Sequence, residues 1–164
     1  MGEEASDLRF AAFYGLLVVK WRLAERLDAE LEAGARVSLN RFELLLHLHW
    51  KNGRRRMSDL ADALLLSRGG ATRLVARAEE AGLVRRESPP DDRRATYAVL
   101  TEAGREATER GYPVYLEAVQ QRFQDFVFDE EAEVLVRVWN RVLDGNGMAC
   151  APIAEAAAAL PERA

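Results

Sequence analysis

The stretch SDLADALLLSRGGATRLVARAEEAGLVRRESPPDDRRATYAVL, Ser58 to Leu100, decides the fold. Its first half carries apolar residues at helical spacing: Leu60, Ala61 and Leu64, then Ala71, Leu74, Val75 and Ala78. Residues three and four apart share a helix face, so each set forms one inward stripe. The connector Leu65-Leu66-Ser67 allows only a tight turn, and two short helices on such a turn are a helix-turn-helix. Ser58 is placed to cap a helix over 59–65 and Ser67 to cap a second over 68–81, which Gly82 ends. Past Gly82 the period changes, and Leu83–Glu87 and Ala95–Leu100 read as two short strands. The proline- and aspartate-rich turn between them, residues 88–94, carries Arg93 and Arg94 at its end.

The second helix of the pair turns Arg68, Gly69, Thr72, Arg73, Ala76 and Arg77 outward. Glycine inside a helix costs about 1 kcal/mol relative to alanine, so Gly69-Gly70 needs a reason. Bare backbone there lets the helix N-terminus, with its free N–H groups and positive dipole end, approach a phosphate. Arginine at that end can also fork onto the two acceptors of guanine in the major groove. Helix pairs of this kind occur in proteins that never touch DNA. The hairpin separates the cases: an exposed turn has no fold-level need for two cations, but a wing that enters the minor groove or grips phosphates does.

Working outward, Phe10, Tyr14, Leu17, Trp21, Ala24, Leu27 and Leu31 make one stripe on a long helix over 8–32, with Gly34 just past its end as a left-handed cap. Ser38 is placed to cap a second helix that carries Phe42, Leu45, Leu46 and His49 on one face, with Leu44 and Leu48 beside them; so apolar a helix is buried. Lys51 to Arg56 reads as a loop. Thr101 caps a fifth helix running to about Phe126, which Pro113 should kink or interrupt. Asp129 opens a sixth, ending near Gly145, and an alanine-rich tail follows. The fold class is therefore mainly α with a small β-hairpin wing. A winged helix-turn-helix over 38–100 is flanked by a helical dimerisation region, 8–36 and 101–145, with a tail over 146–164. The outer helices are too long and too apolar for one small reading head, and a second copy in two-fold symmetry is the simplest cover.

Composition sets the bounds. The chain has 164 residues, one domain by size, with 49% hydrophobic and 30% charged residues, which argues against disorder and membrane residence. No apolar run approaches the roughly 20 residues of a spanning helix. The acidic N-terminus is unlike a signal peptide, so the expected compartment is the cytoplasm. The net charge is −4, yet residues 51–105 hold twelve basic against eight acidic side chains, which makes that segment +4 and the remainder −8. Cys150 is the single cysteine and has no nearby cation to activate it. His47 and His49, two apart on a helix, do not share a face, so no metal site is expected, nor any cofactor. Nothing resembles a nucleophile–base pair, a P-loop or a dinucleotide fingerprint.

Four stretches together carry a family resemblance: Ser67 to Val75, Glu80 to Arg86, Asp92-Arg93-Arg94-Ala95, and Leu100-Thr101-Glu102-Ala103-Gly104. They resemble the MarR family of bacterial regulators, and the helix order is similar over about residues 8–145. The resemblance implies an obligate homodimer on a two-fold symmetric double-stranded operator. It implies a recognition helix at Arg68–Ala81 and a wing at Ser88–Arg94, with Asp92 orienting Arg94. It also implies repression relieved by a small aromatic or anionic effector lodged between the first two helices and the fifth. The DNA-binding residues expected are Ser67, Arg68, Gly69, Gly70, Thr72, Arg73, Arg77, Asp92, Arg93 and Arg94; the effector-binding residues are Tyr14, Trp21, His47 and Trp50. The glycine-rich helix start and the alanine-rich tail depart from the family pattern. The competing reading is a winged-helix module that docks another protein, whose surface should be richer in aromatics and poorer in exposed arginine; an enzyme is a distant third.

Overall fold

In the computed structural model, which describes residues 8–89 and 95–148, the core is built around α2 (Leu39–His49). It buries Phe42, Leu44, Leu45, Leu46 and Leu48. A helix apolar on so many sides has to be covered on all of them. α1 (Leu8–Ala35), α4 (Arg68–Glu80), β3 (Tyr97–Leu100) and α5 (Glu102–Arg122) supply that cover. The crossing with α5 is close because Gly111 presents no side chain: a Cβ there would lie 2.6 Å from the Phe42 ring. His49, expected on the buried face, is exposed at the last turn instead.

α3 (Met57–Ala63) and α4 form the helix pair, with Leu60, Ala61, Ala71, Val75 and Ala78 buried between them and the core. Leu65 in the turn takes a left-handed conformation, φ 54°. Ser67 caps α4 as expected, its Oγ accepting the Gly70 N–H at 3.1 Å. Ser58 does not cap α3. The helix starts earlier, behind Arg56, and the Ser58 hydroxyl donates to Asp59 Oδ1. Ser38 sits at the start of α2 but makes no side-chain cap; Asp28 of α1 accepts the Leu39 N–H at 2.7 Å, which satisfies one free donor of the first turn.

The expected hairpin is present as β2 (Val84–Glu87) and β3, antiparallel, with Val84 opposite Leu100 and Glu87 opposite Tyr97. The stretch read as a loop supplies a third strand, β1 (Arg54–Arg56), paired antiparallel with the other edge of β3. Three consecutive arginines show no apolar alternation, so local pattern could not reveal it. Gly53 turns into this strand with φ 80° and is buried beside the Arg105 guanidinium.

The outer helices differ from expectation at their ends. α1 runs on to Ala35, and the left-handed residue is Arg36, φ 56°, not Gly34. Gly34 lies inside the last turn, where its bare backbone meets Val114 of α5. α5 passes Pro113 without interruption and ends at Arg122; a 3-10 turn, Gln124–Phe126, then leads to α6 (Asp129–Gly145). Buried Gly111 and Ala118, on either side of Pro113, hold that helix to the core.

The apolar stripe of α1 divides. Leu31 is buried, and Ala24 and Leu27 pack on the core, whereas Phe10, Tyr14, Leu17 and Trp21 are exposed. α6 buries none of its residues and exposes Val134, Val136 and Val142. Among the described residues no helix is long and apolar enough to cross a membrane.

Candidate nucleic-acid interface

The outer face of α4 is basic and bare. Arg68, Gly69, Thr72, Arg73 and Arg77 are exposed there. Thr72 donates its hydroxyl to the Arg68 carbonyl at 2.8 Å, and Ser67 closes the first turn. The two glycines have different roles. A Cβ on Gly70 would press on Ser67 Oγ at 3.3 Å and Leu66 Cβ at 3.5 Å, so this glycine serves the turn. Gly69 has only the Arg73 guanidinium near it, at 3.5 Å, and leaves the front of the helix open to an approaching surface.

The charge pattern separates structural from available arginines. Arg85 pairs with Glu87 at 2.6 Å, and Arg86 pairs with Glu79 at 2.6 Å. Arg54 stacks on the Tyr97 ring at 3.6 Å and lies 3.8 Å from Glu87. Hydrogen bonds from the Arg86 side chain, then from its backbone N–H, hold the Glu79 carboxyl below its ordinary range and tie the end of α4 to β2. Arg68, Arg73 and Arg77 have no ion pair among the described residues. Paired cations on the strands and unpaired cations on α4 concentrate positive potential on the helix face.

Asp92, Arg93 and Arg94, expected in the wing, lie outside the described residues. A feature that sequence reasoning missed sits beside α4. Arg56, Met57, Ser58, Arg68, Thr72 and Thr96 line a notch of about 340 Å³ between the end of β1, the start of α3 and the front of α4. The run Arg54-Arg55-Arg56 was its only signal.

The four expected effector residues fall into two groups. His47 and Trp50 are half-buried and meet edge to face at 5.0 Å, with Trp50 packed on the core. Tyr14 and Trp21 are 60% and 74% exposed on the uncovered half of α1. Sequence reasoning also missed Glu43 and Tyr115. Burial pushes the Glu43 carboxyl up, partly offset by Lys20 of α1; burial and the Glu43 charge together push the Tyr115 hydroxyl up. Tyr115 of α5 also meets Phe42 at 5.2 Å. Among the described residues no three His, Cys, Asp or Glu side chains could hold a metal ion.

A helix pair whose second member carries unpaired arginines, backed by a small antiparallel sheet, defines a winged helix-turn-helix protein. The family model described as MarR family matches residues 37–95. AbsC, a MarR family transcriptional regulator from Streptomyces coelicolor, superposes with a TM-score of 0.80 at 31% identity over 88% of this chain and 97% of that one. Sco3205, a MarR family regulator of the same organism solved in complex with DNA, gives a TM-score of 0.77 at 27% identity over 88% and 91%. The HTH-type transcriptional regulator YkoM of Bacillus subtilis is 29% identical over 92 residues, 56% of this chain and 60% of that relative's length. The chain belongs to the MarR family of transcriptional regulators.

Proposed function

We propose that this chain is a sequence-specific DNA-binding regulator that acts as a homodimer in the cytoplasm and represses transcription until a small effector releases it. The observation that carries this reading is the exposed set Arg68, Arg73 and Arg77, unpaired among the described residues, on a helix whose front is kept bare by Gly69. The similarity to a relative solved in complex with DNA supports it. No catalytic role is assigned to any residue. The exposed apolar faces of α1 and α6 supply the contact between two copies through the region 8–36 and 101–145. A two-fold dimer would set its recognition helices in successive major grooves, with half-site centres about 10 base pairs apart. The effector, small and aromatic or anionic, would lodge by the His47–Trp50 pair, with Tyr14 and Trp21 as further contacts.

The test separates two groups of arginine. Base-edge contacts carry sequence information, whereas backbone contacts mostly do not. Arg73→Ala should cost about 1–3 kcal/mol on the selected operator and relax the preference at one or two positions per half-site. Arg94→Ala, in the expected wing, should weaken binding evenly across sequences and reduce the salt slope by about one per wing. Competition binding against matched and scrambled duplexes reads both effects. Full operator affinity in both variants would overturn DNA reading and favour protein docking.

A further inference from the structure

Glu79, in the last turn of α4, makes three bonds to one residue of β2. Its Oε1 accepts the Arg86 backbone N–H at 2.9 Å, and its Oε2 accepts Arg86 Nε at 2.8 Å and lies 2.6 Å from Arg86 Nη2. The strand order β1-β3-β2 leaves β2 at an edge of the sheet, where outward backbone N–H groups have no neighbouring strand. The carboxylate supplies the missing partner for one of them. Val84 is buried and fixes the inner end of β2, whereas Arg85 and Arg86 are exposed and Glu87 is half-buried. The bonds to Glu79 therefore act on the outer half of the strand, next to the turn over 88–94. Gly82, φ 73°, closes the same corner: its N–H donates to the Glu79 carbonyl, and the Leu83 N–H donates to the Ala78 carbonyl, each at 2.9 Å. Helix end and strand are thus joined twice, by a tight backbone turn and by the carboxylate.

Resting on the DNA-reading assignment above, we infer that Glu79 is a positioning residue: its carboxylate holds the outer end of β2, and the turn that follows, in one fixed relation to the recognition helix. A helix in the major groove and a hairpin turn at the minor groove are separated by a sugar-phosphate strand. Both contacts form together only at one spacing. Holding that spacing in the free protein removes part of the ordering cost of binding. The bonds to the Arg86 side chain, then to its N–H, keep the Glu79 carboxyl below its ordinary range, so it stays ionised at neutral pH. A negative charge close to the reading helix repels a duplex. Simple electrostatics and positioning therefore give opposite signs when that charge is removed.

The experiment uses the full-length protein and competition binding to its selected operator. Glu79→Gln removes the charge and should weaken operator binding by about fivefold, since a dimer holds two such clamps and each exposed pair is of modest strength. Glu79→Asp keeps the charge but shortens the reach by one methylene; it should weaken binding likewise, and it serves where the glutamine variant melts early. Thermal melts of both should stay within a few degrees of wild type. The second readout separates positioning from a general loss of structure. Arg94→Ala should cost less affinity in Glu79→Gln than in the wild type, because the wing contact is already loosened, whereas Arg73→Ala should cost the same in both. A wild type that selects its duplex beside a Glu79→Gln protein that binds it equally well or more tightly overturns the positioning role and leaves the DNA-reading assignment intact. An Arg94→Ala cost that is equal in the two backgrounds, zero included, does the same. A wild-type protein that selects no duplex overturns both.

Discussion

Gly104→Ala tests whether the outer helices hold the helix-turn-helix rigidly. Gly104 is buried in the first turn of α5, and a Cβ there would fall on the Leu83 carbonyl oxygen, well inside the 3.0 Å that real Cβ atoms keep. The obstacle is backbone, so no rotamer relieves it, and the two segments must part by on the order of 1 Å. The same junction holds the Thr101 N–H on Leu83 O at 3.1 Å and the Thr101 hydroxyl on Gly82 O at 2.6 Å. Overpacking against fixed backbone costs about 3 kcal/mol. Loosening the Thr101 cap adds about 1 kcal/mol, and the better helix propensity of alanine returns about 1 kcal/mol. The net is about 3 kcal/mol of lost stability, read as a lower urea midpoint at unchanged slope. Gly15→Ala is the control, since a Cβ there meets nothing within 4 Å; it should be neutral or slightly stabilising. Operator affinity at a temperature where Gly104→Ala remains folded should also fall, because the turn that follows α4 is held at this junction. A Gly104→Ala protein as stable as wild type would refute the packing of α5 on the end of α4.

Glu43 predicts a pH dependence. Its folded-state carboxyl is raised above 4.5, chiefly by burial, so the folded chain holds that proton longer than the unfolded chain. Stability contributed by the protonated form is present below 4.5 and is lost as pH rises through the folded value. Glu43→Gln should therefore gain stability over wild type as pH rises across that window, in melts at matched ionic strength; a pH-independent difference would refute it. Sedimentation at low micromolar concentration should give twice the 18.4 kDa chain mass, and Val142→Asp combined with Phe10→Asp should shift it to the monomer; a wild-type monomer would remove the basis for a two-fold operator. Trp21→Ala should blunt the response to an effector found by screening for operator release, and an unchanged response would place the pocket elsewhere.

What could be read from the sequence followed the range of the interactions. The pair α3 and α4, the hairpin, and the caps Ser67 and Thr101 depend on residues within a few positions of one another, and spacing exposed them. β1 depends on pairing with a strand more than forty residues later, and three arginines carry no period to announce it. Ser38 looked like a cap from its place before an apolar helix, but the side chain that satisfies a first-turn donor of α2, Asp28, comes from the neighbouring helix. Ser58 looked like a cap for a similar reason, until extension of Arg56 against β3 moved the helix start upstream. Gly34 was read as a terminator, but close packing on Val114 makes it an interior contact. The α4 arginines were legible because exposure follows from helical phase, whereas the notch needs three elements brought together in space.

The acidic sum of the chain is compatible with DNA reading once distance is considered. A charge is largely screened beyond about 8 Å at physiological ionic strength, so a phosphate responds to the side chains of the surface that meets it. On α4 those are Arg68, Arg73 and Arg77, none paired among the described residues, while Arg85 and Arg86 are neutralised in place. The start of α6 is acidic, with Asp129, Glu130 and Glu131 in its first turn, where they favour the helix dipole. Acids more than a screening length from the reading surface add little there, but they disfavour approach of the duplex by any other face. A net charge of −4 should therefore leave the affinity to a few arginines on α4 and discourage the wrong encounter. A neutralised α6 start, Asp129→Asn with Glu130→Gln and Glu131→Gln, should accordingly leave operator affinity nearly unchanged at 150 mM salt and raise binding to scrambled duplexes at 20 mM. An equal rise for operator and scrambled duplexes at both salt concentrations would show that the acidic helices act on the reading surface itself.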